Sequence, residues 1–319
     1  MGNRNLEVTL GKLRLRTPLM TASGTSGSSN EARRLRMKKA LLESLGAFVT
    51  KGVTLEERKG NPEPRVVESR TGLLNSIGLQ NKGVKRFLLE DLPDLLAYEL
   101  PIIVNISAGT IEEFGVLASF IRDHDINKKI SGIEINVSCP NIKEGGIAFG
   151  TNPRSVEKVV KMVKRNTCKD VLIVTKLSPN VTDITLPAKA AIAGGTDVLS
   201  MINTLRGVAI DIDERRPFLG NAVGGVSGPA IKPIGVFMVY QCYNKIPECR
   251  RREVPIIGIG GISIWQDAIE YIMAGATAVG IGTAWFVYPE VFHEIKKSLE
   301  DFLDSQDTSI SDLVGVANV

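Results

Sequence analysis

Short runs of β-branched and other apolar residues recur along the chain at 18–22, 47–51, 102–106, 132–137, 171–177, 198–203, 255–259 and 278–282. Each ends in polar residues or glycine and leads into a segment whose apolar positions return with a helical period. Continuous apolar runs of five to seven residues suit strands buried on both faces, and their alternation with helical segments predicts a parallel sheet covered by helices. Eight such units predict an α/β fold of the (β/α)8 type, a TIM barrel, because closure leaves no strand edge unpaired. The open doubly wound sheet competes with it, but that arrangement places a glycine-rich turn after the first strand, whereas here such turns follow the last two. The expected organisation is one barrel domain over 1–319.

Two departures from the repeating unit add to this picture. Residues 6–16 alternate apolar and polar positions around Gly11, which predicts an N-terminal β-hairpin that caps the barrel bottom. The connections 52–100 and 204–229 are longer than ordinary loops and rich in glycine, with Gly224-Gly225 in the second. Long insertions at the C-terminal face of such a barrel build pockets and lids.

Composition narrows the function. The net charge of +4 comes from 39 basic against 35 acidic side chains, and the basic runs Arg33-Arg34-Leu35-Arg36-Met37-Lys38-Lys39 and Arg250-Arg251-Arg252 read as solvated faces rather than a nucleic-acid patch. Apolar stretches are strand-sized, and the start MGNRNLEV lacks the apolar segment of a secretory signal, so a cytoplasmic enzyme is the expectation. The four cysteines, Cys139, Cys168, Cys242 and Cys249, form no C-x-x-C pair, so no metal site or iron–sulfur cluster is expected on this chain. With only His124 and His293, histidine-based catalysis is disfavoured.

Candidate chemistry gathers at the ends of the predicted strands: Ser23, Lys51, Asn105, Asn136, Lys176, Asn203 and Thr204. Strand ends meet polar loops in any protein, but seven such residues at the same end of successive strands point to an active face. The turns Gly258-Ile259-Gly260-Gly261-Ile262-Ser263 and Gly280-Ile281-Gly282-Thr283 offer backbone N–H groups to a phosphate, the first directly before a helix. Neither completes the dinucleotide fingerprint G-x-G-x-x-G, and tight turns needing glycine are the structural alternative.

Cys139 sits just beyond the fourth strand, where Pro140 and nearby glycines predict an exposed loop, so its thiolate is a candidate base or nucleophile. Cys168, Cys242 and Cys249 read instead as buried apolar side chains. Lys51 and Lys176 stay open among Schiff-base lysines, anchors for an anionic group and surface residues.

The succession T-A-S-G-T, T-K-G, N-S-I-G-L-Q-N, V-N-I-S, E-I-N-V-S-C-P-N, T-K-L-S-P-N, I-N-T, G-G-V-S-G-P-A, G-I-G-G-I-S and G-I-G-T-A resembles the dihydroorotate dehydrogenases over residues 7–286. Within that family, C-P-N-I-K-E-G-G followed by A-F-G-T is similar to the NAD-linked class 1B catalytic subunits. The resemblance implies oxidation of dihydroorotate to orotate on FMN at the top of a barrel, with a cysteine base. It assigns the FMN site to Ala22, Ser23, Lys51, Gly52, Asn105, Asn136, Lys176, Ile202, Gly228, Gly260, Gly261, Gly282 and Thr283. It assigns the substrate site to Lys51, Asn75, Asn136, Asn141, Asn203 and Thr204, with the backbone of Ile77, Gly78 and Leu79 around the ring.

Cys139 matches the catalytic base, removing a proton from C5 while C6 delivers hydride to the flavin, with Lys176 near the flavin N1/O2 side. The resemblance further implies a homodimer core and an electron-transfer subunit carrying FAD and a [2Fe–2S] cluster, usually in a heterotetramer. Two positions depart from the family pattern: the segment around Ser26 lacks an aromatic residue, and Lys82 replaces a common proline. The rival readings are a related flavin barrel acting on another pyrimidine, a Schiff-base aldolase or lyase, and a non-catalytic binding barrel.

Overall fold

The computed structural model describes residues 4–25, 39–125, 129–138, 140–141 and 147–318. Among them, eight parallel strands form one sheet: β1 (Leu19–Thr21), β2 (Phe48–Val49), β3 (Ile102–Ile106), β4 (Ile130–Asn136), β5 (Leu172–Lys176), β6 (Val198–Met201), β7 (Ile256–Ile259) and β8 (Ala278–Ile281). Neighbours run in sequence order from β2 to β8, β8 pairs with β1, and a parallel bridge between Met20 and Ala47 brings β1 back to β2. The ring is the (β/α)8 barrel that the apolar runs predict.

A helix follows each strand: α1 (Lys39–Ser44), α2 (the helical run 84–96, with a π turn at Phe87–Asp91), α3 (Ile111–His124), α4 (Pro153–Arg165), α5 (Thr185–Gly194), α6 (Lys232–Lys245), α7 (Trp265–Ala274) and α8 (Val291–Ser305). All residues of β3 and β5 are buried, as strands sandwiched between helices and barrel interior must be. In α4, Asn152 accepts the Arg154 N–H, Pro153 begins the first turn and Lys164 and Arg165 end the last. Val156, Val159, Val160 and Val163 fall on its buried face, each contributing roughly 1.5–3 kcal/mol on leaving water.

Strand limits differ from the sequence expectation where side chains intervene. Within the run 47–51 the strand spans only Phe48–Val49 and stops at Thr50, whose hydroxyl accepts the Asn105 N–H at 3.1 Å. Conversely β4 begins two residues before 132, where the Asp125 carboxylate accepts the N–H groups of Lys129 and Ile130.

The N-terminal hairpin pairs Val8–Leu10 with Leu13–Leu15 and turns at Gly11 with φ 60°. A Cβ on Gly11 would lie 2.8 Å from Leu172 Cδ1 at the start of β5, and Lys12 Nζ donates to the Lys169 carbonyl at 2.5 Å. Val8, Leu10 and Leu15 are buried, so the hairpin closes the N-terminal end of the barrel.

At the opposite end the two long connections are not independent loops. Leu205–Val208, Val223–Ser227, Gly72–Asn75 and Val66–Ser69 form a four-stranded antiparallel sheet in that order, with Gly225 opposite Asn75. The paired glycines make this approach possible: a Cβ on Gly224 would lie 2.6 Å from the Asn75 carbonyl oxygen, and one on Gly225 would lie 2.1 Å from Thr204 Oγ1. Among the described residues, no helix is long and apolar enough to cross a membrane.

Candidate active site

The C-terminal ends of the strands and the antiparallel sheet enclose a cavity of about 2010 Å³. The predicted residues Ala22, Ser23, Lys51, Gly52, Asn75, Ile77, Gly78, Leu79, Asn105, Asn136, Lys176, Ile202, Asn203, Thr204, Gly228, Gly260, Gly261, Gly282 and Thr283 all line it. Cys139 lies outside the described residues. Asn141 belongs to the short strand Pro140–Asn141, which pairs antiparallel with Ile147–Ala148.

The cavity floor is charged and sealed. Lys176 ends β5, is 5% exposed and donates from Nζ to Ser23 Oγ at 2.9 Å. Burial pushes its ammonium below the ordinary lysine value, and the Glu134 carboxylate opposes that shift. Glu134, itself 1% exposed on β4, accepts from Asn105 Nδ2 at 2.7 Å and from Ser200 Oγ at 2.9 Å.

An asparagine array forms one wall. Asn136 Nδ2 donates to Ser107 Oγ at 3.1 Å, and its Oδ1 accepts from the Ser138 N–H and from Asn203 Nδ2, at 3.1 and 3.3 Å. Asn203 Oδ1 accepts the Thr204 N–H at 2.8 Å. Asn180 holds the same segment from below, donating to the Thr204 carbonyl and accepting from the Arg206 N–H. Across the cavity, Asn75 Nδ2 donates to the Gly225 carbonyl at 3.1 Å, tying the side chain to the sheet that carries it. Ser138 Oγ is buried with no hydrogen-bond partner among the described residues.

The glycine turns after β7 and β8 form the other wall. Gly260 and Gly261 take φ 125° and 71°, and a Cβ on Gly261 would lie 2.9 Å from both the Gly228 carbonyl oxygen and the Lys232 nitrogen. The N-terminus of α7 is already occupied: Asp267 Oδ2 accepts the N–H groups of Ser263 and Ile264, and Oδ1 sits 3.0 Å from Lys232 Nζ. A phosphate would therefore meet the turn residues 260–262 and the Gly282–Thr283 turn rather than the helix end. Tyr271 braces the first turn by donating to the Gly260 carbonyl at 2.8 Å. Thr283 Oγ1 donates to Ser227 Oγ at 2.8 Å, fastening the second turn to the antiparallel sheet.

Sequence reasoning missed the members that support others: Glu134, Ser107, Ser200, Asn180 and Asp267. A charge inside the apolar run GIEIN was the available signal for Glu134. Cys242 and Cys249 are buried as expected, and burial pushes the Cys249 thiol up to about 12. Cys168 is only partly covered, because it lies in the turn between α4 and β5 at the barrel bottom rather than in a core layer. Lys82 pairs with Glu90 and Asp91 at 3.0 and 3.3 Å at the start of α2, away from the floor. Arg250, Arg251 and Arg252 are exposed as read, while 33–38 lie outside the described residues.

This is a (β/α)8 barrel with a large open site that carries polar residues at the strand ends, a buried lysine and glycine turns suited to a phosphate-bearing ligand. The sequence model of the family described as dihydroorotate dehydrogenase matches residues 5–303, and the chain belongs to that family of oxidoreductases. Among curated relatives, the chain is 45% identical over 316 residues to the "Dihydroorotate dehydrogenase B (NAD(+)), catalytic subunit" of Citrifermentans bemidjiense, covering 99% of each. It is 47% identical over 316 residues to the protein of that name from Alkaliphilus oremlandii, again covering 99% of each. Against the one from Geotalea daltonii it is 45% identical over the full length of both.

Proposed function

We propose that the protein oxidises (S)-dihydroorotate to orotate in pyrimidine biosynthesis, as an FMN-dependent catalytic subunit in the cytoplasm that passes electrons to NAD through a partner. The observation that carries this reading is the convergence of Lys51, Asn105, Asn136, Lys176, Asn203 and Thr204 with two glycine turns around one cavity, in a chain that belongs to the dihydroorotate dehydrogenase family.

The residues present fit FMN. Gly228, Gly260, Gly261, Gly282 and Thr283 suit its phosphate, in turns where a Cβ at Gly261 would collide with backbone. Ala22, Ser23, Lys51, Gly52, Asn105, Asn136, Lys176 and Ile202 would surround the rest. When bound, FMN supplies the hydride acceptor for C6 of dihydroorotate. Cys139 takes the proton from C5. Asn75, Asn136, Asn141, Asn203 and Thr204 orient the planar, anionic substrate without adding a second negative charge, and the backbone of Ile77, Gly78 and Leu79 shapes the pocket around its ring. Lys51 balances the substrate carboxylate. Lys176 holds a positive charge at the floor, where it would face the bound flavin.

The relatives are named as catalytic subunits linked to NAD, which supports a second chain in the assembly. That chain would carry FAD and a [2Fe–2S] cluster in a heterotetramer built on a homodimer of this one. Among the described residues no group of three His, Cys, Asp or Glu side chains could hold a metal ion. The test is the visible spectrum of the purified chain before and after anaerobic addition of dihydroorotate. Bleaching of an oxidised flavin band is expected; a flavin band unaffected by dihydroorotate overturns the substrate, and a protein that takes up no FMN overturns the chemistry. Co-purification of a cysteine-rich second chain tests the partner, and full NAD reduction by this chain alone overturns it.

A further inference from the structure

Strand β5 separates β4 from β6, yet the Glu134 carboxylate on β4 reaches Ser200 on β6 at 2.9 Å. It does so across the barrel interior, past the strand that carries Lys176. Its other oxygen accepts from Asn105 Nδ2 on β3 at 2.7 Å. One side chain thus ties three strands together directly beneath the site. An ionised carboxylate only accepts hydrogen bonds, so the Asn105 amide is held with its nitrogen down. Its oxygen faces Gly52, where a Cβ would lie 3.0 Å from Asn105 Oδ1. A buried carboxylate with two neutral donors is costly unless a cation lies near it. Lys176 is that cation: the two charges act through space, since the ammonium donates to Ser23. The other charged groups along the cavity are Lys51, then Glu68 and Arg206 on the antiparallel sheet, and Arg70 in the turn that joins two of its strands.

We propose that Glu134 is a positioning residue for the reaction, presenting the Asn105 carbonyl oxygen to the cavity and keeping Lys176 a cation at the cavity floor. The proposal deepens the reading above and rests on FMN being the group that Lys176 faces. Burial alone drives the lysine toward its neutral form, and the Glu134 charge resists this. Loss of that charge therefore moves deprotonation of Lys176 to lower pH, toward the range in which the enzyme works.

The experiment compares wild type, Glu134→Gln and Glu134→Asp, each loaded with FMN. Two quantities are followed against pH: the rate of flavin reduction by dihydroorotate and the midpoint potential of the bound flavin in a dithionite titration. In Glu134→Gln the alkaline limb of the rate profile is expected to move down by about one pH unit or more, so that the rate there falls about tenfold. The midpoint potential is expected to fall with it, while Glu134→Asp retains the wild-type limb. In a Lys176→Met background, Glu134→Gln should no longer move the alkaline limb, and the rate change that persists there is the share carried by Asn105. If Glu134→Gln does not fold, Glu134→Met combined with Ser200→Ala removes the charge together with the hydroxyl it would orphan and carries the same comparison. An unchanged limb and potential in the charge-free variant overturn the proposal, as does an Asp variant that shifts as far as Gln. Should dihydroorotate fail to bleach even the wild type, the functional reading falls, and the dithionite potentials still decide the role of Glu134.

Discussion

The two ends of this barrel are built from the same eight strands and could hardly differ more in what they spend side chains on. At the N-terminal end a hairpin presses Val8, Leu10 and Leu15 against the strand starts, and those contacts are apolar and closed. At the C-terminal end Lys176, Asn105, Asn136 and Asn203 face a cavity of about 2010 Å³, with the Glu134 carboxylate buried beneath them. A barrel strand offers both ends at once, so stability and chemistry are separable along its axis, and substitutions at the two ends should fail in different ways.

The sharpest contrast should come from Cys139→Ala. FMN is expected to stay bound while flavin reduction by dihydroorotate slows by about 10²–10⁴-fold in stopped flow; unchanged kinetics would remove the cysteine from its assigned role. Lys176→Met comes next, with an expected loss of about 10²–10³-fold in kcat and a lower melting temperature, because the buried Glu134 carboxylate loses the cation that compensates it. At the other end, Leu15→Ala should cost about 2–5 kcal/mol in a denaturant titration, yet the folded fraction should reduce its flavin at the wild-type rate. A slowed flavin in that variant would mean that the two ends are coupled.

The smallest expected effect is Asp267→Asn, about 1 kcal/mol of stability with weakened FMN retention. Asp267 is held below the usual carboxylate range: burial raises it, but the N–H groups of Ser263 and Ile264 and the Lys232 ammonium outweigh burial. Its contribution is therefore present above the unfolded carboxylate value and fades as pH falls through the lower folded value. FMN release in an acid titration should begin at higher pH for Asp267→Asn than for wild type, and coincident release curves would count against this link.

The same division explains what could be read from the chain alone. Strand positions were legible because each is a local apolar run, and the polar strand ends were legible because every strand ends facing the same way. Glu134 escaped because its partners, Asn105 and Ser200, lie on strands 29 and 66 residues away in sequence, and no local pattern records that distance. The antiparallel sheet escaped for the same reason: 66–75 and 205–227 look like loops until they are paired. Asp267 was hidden by its place in the first turn of α7, where an acidic residue is ordinary.

That sheet also bears on the order of assembly. Asn75 and Gly225 are 150 residues apart, yet they share a hydrogen bond in the roof of the site. Contacts this distant in sequence form late, after the loop-closure entropy of the intervening chain has been overcome. A ribosome-bound chain that has not yet released Val223–Ser227 has several barrel strands and no roof. Cofactor retention in this protein is therefore a report on completed synthesis, and truncated or stalled chains should emerge colourless.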